Sequence, residues 1–126
     1  MALPRVSILI PTYNRADYLL AALDSALHQT FSELEIIVVD DGSMDDTAEV
    51  IRKYTDPRLQ FIQQKNCGVS AALNTAWRAA RSEFIAMLGS DDEMLPAQIE
   101  TLLNYIEREP TLGMVYGRAQ AMDAQG

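Results

Sequence analysis

The sequence predicts an α/β fold in which a mainly parallel sheet carries helices on both faces. Short runs of β-branched residues alternate along the chain with longer segments whose apolar residues recur at intervals of three and four. One short run, residues 35–39, is apolar almost throughout, as expected for a strand that is covered on both faces. The chain has 126 residues, 48% of them hydrophobic, and is therefore long enough for one domain with a sizeable core.

The predicted elements follow one another in a regular order. The first β-branched run is expected to stop at Pro11, and Asn14 can cap the helix that follows. Trp77 is predicted to lie on the buried face of the third helix. Strands are expected at 6–10, 35–39, 59–62, 83–88 and 113–116. Helices are expected at 15–28, 45–54 and 68–81, and a last helix is expected to open at Pro96.

The charge balance argues against several classes of protein. Asp plus Glu number 18 and Lys plus Arg 10, a formal net charge of −8, which disfavours binding to nucleic acid or to an anionic membrane by charge. A single cysteine, Cys67, and a single histidine, His28, disfavour cysteine-based and histidine-rich metal sites. No apolar run reaches the roughly 20 residues of a membrane span, and the first five residues do not resemble a signal peptide. A cytoplasmic location is expected, with any membrane association mediated by regions outside these residues.

Three segments that follow predicted strands are candidates for a ligand site, because ligands of parallel sheets gather beyond the carboxyl ends of the strands. Tyr13 could present a flat ring to a nucleobase, and Arg15 a cation to phosphates. Asp91 and Asp92 repel each other unless a cation compensates, and their oxygens suit Mg²⁺ or Mn²⁺ with a substrate diphosphate completing the shell. The alternative for these two acids is a solvated loop before a helix. The three segments are residues 11–15, 40–43 and 89–93.

Other polar positions have plainer interpretations. Asp45, Asp46 and Glu49 stand in a predicted first helical turn, where acids are favoured by the helix dipole. Gly68 precedes a predicted helix and could let backbone N–H groups approach a phosphate, or could simply serve a turn. Neither a G-x-G-x-x-G nor a P-loop pattern is present, so the dinucleotide fingerprint and the phosphate-binding lysine are both missing.

Five motifs stand in order along the chain. They are residues 6–15 (VSILIPTYNR), 29–31 (QTF), 37–43 (IVVDDGS), 66–74 (NCGVSAALN) and 90–96 (SDDEMLP). In this order and spacing they resemble the family 2 glycosyltransferases. The resemblance implies the GT-A fold with its Rossmann-like nucleotide-binding half and a nucleotide-diphospho-sugar donor, with a UDP-sugar favoured. It also implies a Mg or Mn divalent cation and inverting transfer of the sugar to an acceptor that the sequence does not identify.

The resemblance also implies roles for individual residues. Pro11 and Tyr13 would line the nucleobase pocket, and Asp41 would accept a hydrogen bond from an N–H group of the base. Asp91 and Asp92 would contact the ribose and hold the divalent cation that bridges the diphosphate. The cation would neutralise charge on the departing nucleoside diphosphate. The expected nucleotide-binding residues are Pro11, Tyr13, Arg15, Asp41, Asn66, Gly68 and Asp91, and the expected metal ligands are Asp91 and Asp92.

The chain departs from the family pattern in three places. Many members read Leu-Asp-x-Asp-Asp, whereas Gly89 here takes the place of the first carboxylate. Leu73 stands where an Arg often precedes the Asn, which removes a potential phosphate-facing cation. Ser82 replaces a frequent Gly, a change expected to be structural.

The catalytic base is expected outside this chain, because family members usually run on into a second half that supplies the acceptor site and that base. Residues 1–126 are therefore expected to be one donor-binding domain, truncated before the acceptor-binding half. A non-catalytic nucleotide-binding or assembly module of the same fold is the alternative. A receiver-like signalling domain is disfavoured, since it needs a lysine beyond the last strand and only Lys53 and Lys65 are present.

Overall fold

A sheet of four parallel strands organises the computed structural model, which describes residues 2–126. Along the chain the strands are β1 (Val6–Thr12), β2 (Leu34–Asp40), β3 (Leu59–Gln63) and β4 (Phe84–Met87). The helices are α1 (Ala16–Leu27), α2 (Thr47–Arg52), α3 (Val69–Ala79) and α4 (Gln98–Arg108). The strands lie side by side in the order β3-β2-β1-β4, so the chain moves outward on one side of β1 and then crosses to the other. This order opens a crevice beyond the carboxyl ends of β1 and β4.

Helices cover both faces of the sheet, as predicted. Alternate residues of β1 point to opposite faces, and Ile8 and Ile10 pack in a core with α1, α2 and α4. Leu9 points the other way, into a smaller core that α3 closes through Ala72 and Ala76. Each of these large β1 side chains is at most 2% exposed, and burying one such side chain contributes about 1.5–3 kcal/mol. The fold is held mainly by this central strand and its two layers of side chains.

The predicted first strand is longer in the structure and passes through Pro11. Pro11 pairs with Val39 of β2, but the pairing of β1 with β4 ends at Leu9 and Met87. The backbone of Leu9 faces β4, where its oxygen accepts a hydrogen bond from Leu88 N at 3.0 Å, and Pro11 has the same orientation two residues later. A proline at this position therefore sacrifices no hydrogen bond of the sheet.

The prediction of a fifth strand at 113–116 is wrong within the described residues. This segment has no regular secondary structure and pairs with none of the described strands, and Met114 is 71% and Tyr116 87% exposed. It lines one side of an open groove of about 2640 Å³ whose other side includes β4. An apolar sequence does not form a strand where no neighbour lies close enough to complete the backbone hydrogen bonds.

The placement of Trp77 in the core is also wrong, since its side chain is 61% exposed. The residues of α3 that are fully buried are the small Ala72 and Ala76. Trp77 follows Ala76 by one position, which turns it about 100° around the helix and away from the sheet.

The described residues include no helix that is long and apolar enough to cross a membrane.

A buried carboxylate ties the segment after α3 to the amino-terminal end of the sheet. Glu35 is 3% exposed, and its Oε1 accepts hydrogen bonds from Ser7 Oγ at 2.6 Å and Arg81 N at 2.8 Å. Its Oε2 accepts a hydrogen bond from Arg81 Nε at 2.9 Å. Burial alone would raise the pKa of Glu35, but the hydrogen bonds from Ser7 and Arg81 outweigh it and lower the pKa below the ordinary value of 4.5.

Replacing this carboxylate should destabilise the fold in a pH-dependent way. Glu35→Gln is expected to cost about 2–3 kcal/mol at pH 7, because charged hydrogen bonds are lost at a buried position. A lowered pKa in the folded state stabilises the fold above pH 4.5, and this contribution is lost as the pH falls through the folded-state pKa. Urea unfolding of both proteins across this range measures the difference. The exposed Glu33→Gln is the matched control, and a Glu35→Gln effect that stays constant with pH would contradict the assignment.

Candidate functional site

The loops that follow the strands meet at one edge of the sheet. Thr12 and Asp40 are paired residues at the ends of β1 and β2, and Asp41 N donates a hydrogen bond to Thr12 O at 2.9 Å. Gln64 N, just after β3, donates to Asp40 O at 2.9 Å. The candidate loops after β1 and β2 are thus side by side, and the exit of β3 adjoins them. The loop after β4 completes the edge across the crevice.

Asp41 is a buried side chain of this edge that accepts three hydrogen bonds. It is 4% exposed, and its Oδ1 accepts hydrogen bonds from Gln64 Nε2 at 2.7 Å and Cys67 N at 2.9 Å. Its Oδ2 accepts one from Gly68 N at 2.8 Å. Burial acts to raise the pKa of Asp41, but these three hydrogen bonds lower it overall, so the side chain is ionised at neutral pH. With about four lone-pair positions on a carboxylate, Asp41 retains one for a further donor.

The Asp41 hydrogen bonds shape the loop that contains Asn66 and Gly68. Gly68 begins α3 with a φ of +94°, a left-handed conformation that favours glycine. Its backbone N–H donates to Asp41 and is therefore already used within the chain. Asn66 is exposed and packs on Gly42, where an added Cβ would lie 2.8 Å from Asn66 N. The sequence predicted these positions as neighbours of a nucleotide, but gave no sign that Asp41 organises them.

The prediction that Asn14 caps α1 is wrong, because Asn14 joins two loops instead. It has a φ of +50°, and its side chain makes no cap hydrogen bond to the helix. Asn14 N donates to Ser43 Oγ at 2.8 Å, and Asn14 Oδ1 accepts from Met44 N at 2.8 Å. Asparagine tolerates the left-handed region better than most residues. This pair of hydrogen bonds fixes the path of the chain on either side, where Tyr13 is 44% exposed.

Asp45 forms hydrogen bonds at the starts of the two helices that follow these loops, a role that the sequence did not indicate. Its Oδ2 accepts a hydrogen bond from Ala16 N at 3.2 Å, at the start of α1. Its Oδ1 accepts hydrogen bonds from Thr47 N at 3.0 Å and from the Thr47 hydroxyl, at the start of α2. One carboxylate therefore caps both helices, and although burial acts to raise its pKa, these hydrogen bonds lower it overall. The prediction that Asp45 and Asp46 lie in the first turn of this helix is wrong, since α2 begins at Thr47 and of these acids only Glu49 stands in its first turn.

Beyond the carboxyl ends of β1 and β4, Arg15 lies beside the acidic pair Asp91 and Asp92. Arg15 Nε lies 4.0 Å from Asp91 Oδ2, and both side chains are about half exposed. Such an exposed ion pair contributes little to stability. Asp91 and Asp92 are both exposed, and residues 122–126 line the other side of a cavity of about 460 Å³ beside them. Across residues 2–126 no three His, Cys, Asp or Glu side chains converge into a metal cage.

Residues 7–125 match a family model described as Glycosyl transferase family 2. The chain belongs to this family. Its fold and family are therefore those that the motifs predicted, and its relatives are enzymes of sugar transfer. The chain is 40% identical over 125 residues to a chondroitin synthase of Escherichia coli, a match that covers 98% of this chain and 18% of that protein.

Two solved structures show the same fold in glycosyltransferases of the GT-A class. S. aureus TarS in complex with UDP-GlcNAc superimposes with a TM-score of 0.80 at 29% identity, covering 94% of this chain and 37% of that one. The mannosyltransferase PcManGT from Pyrobaculum calidifontis, in complex with GDP-Man and Mn²⁺, gives a TM-score of 0.81 at 30% identity. That match covers 90% of this chain and 35% of the mannosyltransferase. The chain thus spans less than half the length of each of these proteins.

The junction at Asn14 can be tested by separating its conformation from its hydrogen bonds. Asn14→Gly keeps the positive φ but loses the side-chain hydrogen bond, and is expected to cost about 1 kcal/mol. Asn14→Ala loses both and is expected to cost about 2–3 kcal/mol, because alanine is disfavoured in the left-handed region. Urea unfolding measures both values. Equal costs for the two variants would contradict a role for the backbone conformation at this position.

Proposed function

We propose that this chain binds a nucleotide-diphospho-sugar together with Mg²⁺ or Mn²⁺ and presents it for inverting transfer to an acceptor. The observation that carries the proposal is the crevice beyond β1 and β4, where Tyr13 and Arg15 follow one strand and Asp91 and Asp92 the other. The complexes of TarS with UDP-GlcNAc and of PcManGT with GDP-Man and Mn²⁺ support it. The chain itself provides an aromatic face, a cation and hard oxygen ligands in one place.

The base would bind between the ends of β1 and β2. Pro11 is half-buried and Tyr13 is 44% exposed, so an apolar surface is available for stacking against a planar ring. Asp41 stays ionised, since its hydrogen bonds keep its pKa low, and acts purely as an acceptor. Its remaining lone-pair position would accept an N–H of the base. Asn66 and Gly68 would border this position through the loop that Asp41 holds.

The diphosphate would lie over the crevice. Two adjacent carboxylates and no cysteine or histidine form a hard donor set, which fits Mg²⁺ or Mn²⁺ and does not fit zinc. Asp91 and Asp92 would hold the ion, and Arg15 would add a guanidinium to the phosphates. When bound, the ion would supply charge neutralisation on the leaving nucleoside diphosphate. Because the two acids alone do not form a cage, the diphosphate oxygens would complete the coordination.

The remaining parts of the reaction are proposed for a longer protein. The chain spans 18% of the chondroitin synthase that it resembles, so the acceptor site and the base that deprotonates the acceptor hydroxyl would come from further residues. We propose a cytoplasmic setting for the donor side, with a UDP-sugar as the favoured donor. Membrane association, where it occurs, would rest on regions other than the residues described here.

Calorimetric titration with UDP and GDP, first with Mn²⁺ and then with chelator, tests the donor site. We expect UDP binding that strengthens when Mn²⁺ is present. Asp92→Asn should weaken the Mn²⁺-dependent part by about tenfold or more and the affinity in chelator much less, because the carboxylate acts mainly through the ion. The exposed Asp46→Asn serves as the control. Binding of neither nucleotide at millimolar concentration would overturn the proposal, and nucleotide binding without a metal effect would favour the non-catalytic module.

The stacking role of Tyr13 makes a separate prediction. Tyr13→Ala should lower the affinity for UDP by about tenfold both with Mn²⁺ and in chelator, since the loss of base–aromatic stacking does not involve the metal. Tyr105→Ala, on the exposed face of α4, removes an equal ring far from the crevice and should have no effect. If the loss at Tyr13 appeared only in the presence of Mn²⁺, the ring would have to contact the metal–diphosphate part instead of the base.

A further inference from the structure

We propose that Gln64 is a specificity-determining residue of the donor site, because it occupies one oxygen of Asp41 and leaves a single acceptor for the base. A single acceptor suits uracil, which offers one N–H between two carbonyl oxygens. It does not suit guanine, which offers two neighbouring donors, N1–H and the N2 amino group. The inference rests on the proposed function and deepens it, since it assigns the preference for a UDP-sugar to a residue outside the five motifs.

The two oxygens of Asp41 are used unequally. Oδ1 accepts hydrogen bonds from Gln64 Nε2 at 2.7 Å and from Cys67 N at 2.9 Å, which fills both of its lone-pair positions. Within residues 2–126 the only donor to Oδ2 is Gly68 N, at 2.8 Å, so Oδ2 keeps one position. A base that approaches Asp41 therefore meets one acceptor, on Oδ2.

The carboxylate of Asp41 is not free to turn and offer its other oxygen. Asp41 is 4% exposed, and two of its donors are backbone N–H groups of the loop that leads into α3. A rotation would leave these donors and a buried charge without partners, which is costly for groups removed from water. Gln64 is the donor that comes from a side chain, so substitution can remove it while the two backbone donors remain.

Thr75 of α3 holds the Gln64 amide in the orientation that this role requires. Thr75 Oγ1 donates a hydrogen bond to Gln64 Oε1 at 2.6 Å, which leaves the amide nitrogen facing Asp41. The reverse orientation would place the amide oxygen against an ionised carboxylate, and two acceptors repel each other. The same hydroxyl has an alternative acceptor in Ala71 O, at 3.0 Å. Gln64 is thus fixed at both ends, by α3 and by Asp41.

Removal of the Gln64 donor would change the chemistry that Asp41 offers. Each oxygen would then have one free position, and a carboxylate in this state accepts two parallel N–H bonds, as it does from a guanidinium. Guanine provides two such donors, whereas uracil has a carbonyl oxygen beside its N–H. In the native arrangement the second donor of guanine would meet an oxygen whose positions are filled. A polar group left without a partner is a strong basis for discrimination.

Binding of UDP and GDP to Gln64→Leu tests the proposal. The two ligands share the ribose and the diphosphate, so at a constant Mn²⁺ concentration the ratio of their affinities reports the base alone. Calorimetric titration of the wild-type chain should show UDP bound at least about tenfold more tightly than GDP. Gln64→Leu should reduce this ratio by about tenfold. Gln60→Leu, at an exposed position of β3, is the matched control and should keep the wild-type ratio.

Two variants of Thr75 separate specificity from a loss of stability. Thr75→Val keeps the volume but not the donor to Gln64, and should lower the UDP-to-GDP ratio by about threefold. Thr75→Ser keeps the hydroxyl and should retain the wild-type ratio. A purely structural effect would lower the melting temperature and weaken both nucleotides alike, which leaves the ratio unchanged.

The outcomes distinguish this inference from the proposed function. A wild-type chain that binds neither nucleotide overturns the donor site and this inference with it. A wild-type chain that binds GDP as tightly as UDP, or a folded Gln64→Leu variant with an unchanged ratio, overturns the inference alone. If Gln64→Leu does not fold, the Thr75 variants decide, and an unchanged ratio in Thr75→Val overturns the inference.

Discussion

The buried charge of Asp41 is the constraint on which the rest of the site depends. A carboxylate that is removed from water needs donors, and Asp41 obtains them from Gln64 and from the backbone of Cys67 and Gly68. These donors come from the exit of β3 and the start of α3, so one side chain at the end of β2 determines the shape of the following loop. The residues expected to border a nucleotide are placed by this charge before any ligand is present.

A second buried carboxylate, that of Glu35, holds the other end of α3 at the amino-terminal end of the sheet. Glu35 lies at the amino-terminal end of β2 and holds Arg81, just beyond α3, whereas Asp41 at the other end holds Gly68, just before it. Between these two anchors α3 rests on the sheet through alanines, which bury little apolar surface. The position of α3 therefore depends on two buried acids, one near the start of β2 and one directly after its end, and the outer side of α3, including Trp77, is exposed.

The net charge of −8 does not reflect one common role of the acidic residues. Several acids are structural: Asp41 and Glu35 anchor α3, and Asp45 caps two helices. Asp91 and Asp92 differ from these because they are exposed and adjacent, and neither accepts a hydrogen bond from the backbone of another segment within residues 2–126. The same residue type thus organises the loops where its donors come from the chain, and is left exposed to solvent where they do not.

The sequence by itself determined the parallel α/β order, the four strands that pair, the family and the loops that lie together at the candidate site. These features follow from local periodicity and from the order of the motifs along the chain. Both can be read without knowing which distant segments are in contact. Only the tertiary structure decided that residues 113–116 remain unpaired, that Trp77 faces outward, that Asn14 joins two loops and that Gln64 holds Asp41. Each of these depends on the distance between segments far apart in the chain or on a neighbour being present. Periodicity and spacing do not contain that information, because they describe a residue's own segment and not the partner that it meets.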